Sequence, residues 1–239
     1  MKIFILSCLI LALIASTCSA EEMSVPGSTQ GAGVSILLDP GHSPRAPGAM
    51  GCSGTMEYQY NNKLVKTINY YLELNGVKVS LTKEYEAESA LQNRAIVATS
   101  ENLLLFIHHD SVQPQFISGE PNQRGRCSGK ADGFSLFVSR WNPKYQESLS
   151  YARKLGKALI KRGLHPTLHH AEAIPGENKR LLDEKLGIYA YDEMVVLNSS
   201  KIPAVLLEAA VIVNPDDEKR ADSINFRQSV AEAVLEMLH

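Results

Sequence analysis

Three short apolar runs constrain this chain most: Val34 to Leu38, Leu103 to Ile107 and Val205 to Leu207. A strand with one face in water alternates apolar and polar residues, whereas a near-continuous run needs protein packed on both faces. The stretches between have a different period. From Met56 to Asn75, the residues Leu64, Ile68, Tyr71 and Leu72 fall on one helical face, and Gly76 offers a left-handed stop. Ala90 to Ser100 reads as a second helix, with Leu91, Ala95 and Ala98 inward. Pro143 opens a third that runs to about Arg162, before Gly163. A last helix, from about Asp217 to Leu238, turns Ile224, Phe226, Val230, Ala233, Val234 and Leu238 inward. Val77 to Leu81 and Phe134 to Val138 add strands. Strands alternating with helices predict an α/β fold with a largely parallel sheet covered on both faces.

Each apolar run also leads into a chemically active side chain: His42, His108 and Glu208. A fourth, Glu57, stands at the start of the first helix. Singly, each has an ordinary explanation. A histidine after a strand is usually a loop residue, and an acid at a helix start is favoured by the macrodipole. Together they carry more weight, because the ends of parallel strands converge on one edge of the sheet, where ligands collect. Two imidazoles and a carboxylate are a catalytic zinc set with one position left for water, and this donor set suits zinc better than calcium or magnesium. A carboxylate outside the ligand set would then carry the proton, and Glu208 is placed for that.

The first residues belong to a different argument. Lys2, the apolar stretch Ile3 to Ala15 and the small residues up to Ala20 have the layout of an export signal, cut after Ala20. Its apolar core is shorter than the roughly 20 residues a membrane span needs. A lipoprotein reading of Cys18 is the minor alternative, since Ala15-Ser16-Thr17 lacks the expected leucine. Residues 21–33 read as a polar flexible leader, and residues 34–239 as one catalytic domain. The mature, exported chain is expected to have no membrane span and to be a monomer. It keeps two of the four cysteines, Cys52 and Cys127, which in an oxidising compartment are a candidate disulfide; two free thiols, or metal ligation, are the alternatives. A net charge of -2 from 24 basic and 26 acidic residues leaves no footprint for nucleic acid.

The motifs have a family likeness. Leu37-Leu38-Asp39-Pro40-Gly41-His42, Glu57 at a helix start, Phe106-Ile107-His108, and Val205-Leu206-Leu207-Glu208 ahead of Asn214-Pro215 resemble the zinc-dependent N-acetylmuramoyl-L-alanine amidases. Those bacterial enzymes cut the amide between the lactyl group of N-acetylmuramic acid and the first L-alanine of the stem peptide. The resemblance covers nearly all of the chain after Val34. It implies a mixed, largely parallel six-stranded sheet flanked by helices, of zinc-exopeptidase-like architecture. It implies one zinc ion on His42, Glu57 and His108, Glu208 as the catalytic carboxylate, and peptidoglycan or a muropeptide as substrate. Asp39 and Asp110 are candidates for supporting the ligand histidines or the loop backbone.

Departures from the pattern are Ser43-Pro44 after His42, His109 before Asp110, and Ala209-Ala210 after Glu208. His109 should point to the opposite face from His108. Some family members carry a helical plug after the strand matching Phe134 to Val138; here only Arg140-Trp141-Asn142-Pro143 intervene, so none is expected. His165, His169 and His170, near Pro166 in a loop, read as a surface cluster, with substrate contact the remoter alternative, and Arg94 as half of an ion pair. The competing readings are another exported zinc hydrolase, such as a carboxypeptidase or deacylase, and a catalytically silent peptidoglycan-binding module.

Overall fold

A computed structural model describes residues 33–85, 87, 101–119 and 124–239. The export signal, nearly all of the leader, the helix read at Ala90 to Ser100 and Arg94 lie outside the described residues. In chain order the elements are β1 (Ser35–Pro40), α1 (Glu57–Leu74), β2 (Lys78–Leu81), β3 (Leu103–Asp110), β4 (Ser135–Val138) and α2 (Tyr145–Lys161). Then come β5 (Arg180–Asp183), β6 (Ile188–Ala190), α3 (Val195–Asn198), β7 (Ala204–Val211), α4 (Pro215–Asp222) and α5 (Ile224–Leu238).

The strands form one seven-stranded sheet in the order β2-β1-β3-β7-β4-β6-β5. Strands β2, β1, β3 and β7 run parallel. Strand β4 runs antiparallel to β7 and parallel to β6, and β5 returns antiparallel to β6. The sheet has one strand more than expected. Neither β5 nor β6 announces itself: β6 is three residues long, and β5 is mostly half-buried with a charge at each end.

The apolar runs behave as their composition requires. Alternate residues Ile36, Leu38, Leu103, Leu105, Ile107, Val205 and Leu207 pack under α1, α2 and α5. Their neighbours Leu37, Leu104, Phe106 and Leu206 join Phe137, Tyr189 and, from α3, Val196 and Leu197 on the other face. Burial on both faces is why these runs do not alternate. Gly76, with φ of 76°, terminates α1. The last helix divides in two. Asn214 caps α4 through the Asp216 and Asp217 amides. Ser223, in extended backbone, accepts from the Phe226 amide at 3.2 Å and starts α5 afresh. The break leaves Ile224 53% exposed rather than inward.

Residues 139–144 join β4 directly to α2, with no helical insertion. Cys52 and Cys127 form a disulfide, with Cα atoms 5.0 Å apart, tying the loop after β1 to the loop after β3. Closing a 75-residue loop restricts the unfolded chain by about 4.5 kcal/mol. Replacing both cysteines by serine should therefore lower the thermal midpoint by about 9–18 °C. Calorimetry of the double variant checks this, and an unchanged midpoint would remove the bond from the stability account.

Candidate metal centre

The site begins where β1 stops. The Gly41 amide still donates to the Ile107 carbonyl at 3.0 Å, holding the chain against β3. The next residue, His42, turns to φ of 62°, a left-handed conformation that an L side chain adopts only at some energetic cost. Reciprocal amide bonds of 3.1 Å between Ser43 and Ala46 close the turn that holds it there. The Lys83 ammonium donates to the His42 carbonyl. The Ala46 carbonyl lies 3.1 Å from His42 Nδ1, which makes that nitrogen the N–H donor and presents Nε2 to Glu57 at 3.1 Å.

Glu57 is the first residue of α1 and is 4% exposed. Its Oε2 accepts from the Ala49 amide at 3.0 Å. Its Oε1 accepts from Asn61 Nδ2 at 3.2 Å and from the His109 amide at 3.3 Å, and lies 3.0 Å from His108 Nδ1. Burial opposes its charge, but hydrogen bonds to His108 and His42 win and hold the carboxyl well below the usual range. The two rings meet edge to face at 4.9 Å. One donor atom each from His42, Glu57 and His108 fall within 4.8 Å of one another.

Glycine makes this convergence possible. A Cβ on Gly41 would overlap the His108 ring, and one on Gly48 would overlap the Glu57 carboxylate and the His42 ring. Glycine at these two positions therefore leaves the three side chains their room. Two imidazoles with their carboxylate partner are a donor set that fits a divalent transition metal.

Glu208 stands beside the triad. On β7 it is directly opposite His108 on β3, and alternation puts it on the face away from Val205, Leu207 and α1. Its Oε2 is buried with no hydrogen-bond partner. Burial first, then the charges of Asp110 and Glu57, push its carboxyl well above the usual range. It lines a cleft of about 250 Å³ together with Asp110, Phe137, His170, Tyr191 and Leu206. A buried carboxylate with an orphaned oxygen at a cleft is a candidate proton carrier.

The other expectations divide. His109 does turn to the opposite face: buried, 2.8 Å from Asn61 Oδ1, and pushed down to about 4 by burial. Asp39 is fully buried in β1; both ring nitrogens of His42 face Ala46 and Glu57, and Nδ1 of His108 faces Glu57. Beyond a bulge in β3 after His108, the Asp110 carboxylate meets His170 at 2.7 Å and His169 at 3.5 Å, on the cleft side. The surface reading of the histidine cluster holds only for His165, which is exposed beside Asp132. His169 and His170 are 6% and 9% exposed, on a short 3-10 turn folded onto the end of β3. The disulfide rules out metal ligation by Cys52 and Cys127.

Asn61 escaped the sequence reading. One turn after Glu57 on α1, it donates to Glu57 and to the Gly41 carbonyl at 3.1 Å, locking helix to loop. Asn61→Ala should weaken metal binding at the triad by about 10–100-fold with the fold intact. Competition with a chromophoric chelator measures this, and an unchanged affinity would make Asn61 a packing residue only.

Comparison with known proteins gives the family and the fold. Residues 36–239 match the family model described as N-acetylmuramoyl-L-alanine amidase. The chain is 27% identical over 208 residues to a Staphylococcus epidermidis protein named "Probable cell wall amidase LytH", covering 86% of this chain and 57% of that one. A Staphylococcus aureus protein of the same name matches to the same extent, so the chain spans just over half the length of these relatives. Among solved structures, the amidase Ami1 of Mycobacterium smegmatis superposes with a TM-score of 0.65 at 18% identity, covering 86% of this chain and 94% of that one. An amidase from Clostridium difficile 630 gives 0.66 at 17% identity, over 87% and 95%. At such identities the superpositions speak for the fold alone. The family match, which extends from the first apolar strand to the last residue, places this chain in the N-acetylmuramoyl-L-alanine amidase family.

Proposed function

We propose that this chain is a zinc-dependent N-acetylmuramoyl-L-alanine amidase, with His42, Glu57 and His108 holding one zinc ion and Glu208 carrying the proton. The observation that carries the reading is the convergence of the three donor atoms beside a buried carboxylate that is not one of them. When bound, zinc supplies a water of lowered pKa and a Lewis acid for the scissile carbonyl.

The chain's own residues do the rest. The Ala46 carbonyl and the Glu57 carboxylate fix the ring of His42, and Asn61 fixes Glu57. Glu208 takes a proton from the attacking water at its carboxylate and returns it to the departing alanine nitrogen. Its carboxyl, pushed above the usual range by burial and by the charges of Asp110 and Glu57, suits the second half of that cycle, because a raised pKa favours holding the proton until the amine leaves. The cleft beside Glu208 gives the stem peptide a place to lie.

Export of the chain, through a signal at residues 1–20, is part of the same reading. The Cys52–Cys127 disulfide supports it, since such bonds persist in oxidising compartments. No helix among the described residues is long and apolar enough to cross a membrane. The reading is tested by clearing of purified peptidoglycan before and after treatment with a chelator. Activity should vanish with the chelator and return on adding zinc; digestion indifferent to chelation would sink it.

A further inference from the structure

Two histidines and an acid meet a second time in this molecule. On the far side of the bulge in β3, one donor atom each from Asp110, His169 and His170 also fall within 4.8 Å of one another, with all three residues buried. Both rings are turned the same way. His170 places Nδ1 against Glu177 Oε2 at 2.7 Å and Nε2 against Asp110 Oδ2 at 2.7 Å. His169 places Nδ1 against Thr167 Oγ1 at 2.9 Å and aims Nε2 at that same Asp110 oxygen from 3.5 Å. The ring centroids are 3.9 Å apart.

The outer nitrogen of each ring thus has an oxygen to bond, and the inner nitrogens converge on one carboxylate. This is how metal-ligating histidines are ordinarily held: the Nδ1–H is given to a carboxylate or hydroxyl, which leaves Nε2 as the donor atom. Glu177 is itself steadied by Gln113 at 2.8 Å. A purely salt-bridged cluster explains His170, clamped between two acids, but leaves His169 unexplained. His169 is 6% exposed, and its Nε2 makes no close hydrogen bond, facing the Asp110 carboxylate from 3.5 Å with the Ser111 backbone nearby. A buried polar atom without a partner is costly unless something occupies the position it faces.

We propose that Asp110, His169 and His170 form a second metal site, for a divalent transition ion of which zinc fits the two nitrogens and one oxygen best. Glu177 and Thr167 orient the two rings. Asp110 and His170 both line the cleft that Glu208 lines, so an ion held here would border that cleft. It also fastens the segment carrying His169 and His170 to the end of β3. The proposal stands apart from the reading of the first site, because the two share no ligand.

Metal counting on the folded full chain tests it. Chelator-treated protein is titrated with zinc and the bound equivalents are read by mass spectrometry of the elements. The wild type should take two, His42→Gly one, and His169→Ala one. In the His42→Gly background, Glu177→Gln should weaken the remaining zinc by about 10–100-fold, which reports on the site even where His169→Ala folds poorly. One equivalent in the wild type and none in His42→Gly would overturn the proposal and leave the cluster a salt-bridged wall of the cleft. A single equivalent that survives His42→Gly but is lost in His169→Ala would instead support this site and remove the metal from the first.

Discussion

Glu208→Gln should lower turnover on peptidoglycan by about 10²–10⁴-fold while leaving zinc on His42, Glu57 and His108. The variant keeps the size of the side chain and removes only its ability to take and hold a proton. Because Glu208 makes no described hydrogen bond through Oε2, the amide has no partner to lose there. Gln also carries no charge for Asp110 and Glu57 to repel, so the thermal midpoint should hold or rise. Loss of rate with unchanged KM, metal content and stability is the signature of a proton carrier. Normal turnover in this variant would transfer the role to another residue, with Asp110 the first to test.

The second large effect belongs to His42. Its side chain is 32% exposed, so removing it opens no cavity in the core. Its backbone sits at φ of 62°, where glycine is at ease and histidine is strained. His42→Gly should therefore cost the protein one zinc and bring activity to background, while the metal-free chain loses little or no stability. Most ligand substitutions confuse loss of metal with loss of fold, and this position separates them. Dialysis against limiting zinc followed by metal analysis, beside a thermal melt, reads both. A variant that retains all its zinc would exclude His42 from the site.

These two residues were also the most legible in the sequence, for a physical reason. Parallel strands must be buried on both faces, so their runs are unbroken, and whatever polar residue ends such a run stands at the sheet edge where sites form. His42, His108 and Glu208 all follow that rule, and Glu57 follows from its position at a helix start. What supports them did not show. The acceptor for His42 Nδ1 is the Ala46 carbonyl, a backbone atom that any residue at that position would supply. Asn61 reads as a polar residue on the apolar face of α1, and only its spacing from Glu57 hints at a contact. His169 and His170 were misread because two adjacent polar residues near Pro166 look like loop. Their burial depends on Asp110 and Glu177, which approach from other parts of the chain. Strands β5 and β6 do not show in the sequence because elements of four and three residues are too short to display a period.

The product of the reaction tests the central claim most directly. Purified peptidoglycan digested by the wild-type chain should release stem peptides with a free L-alanine amino terminus and leave glycan strands whose muramic acids keep unsubstituted lactyl groups, as read by tandem mass spectrometry. Single amino acids or acyl groups as the released species, or no product beyond that of Glu208→Gln, would contradict the assignment of this site to the muramoyl–alanine amide.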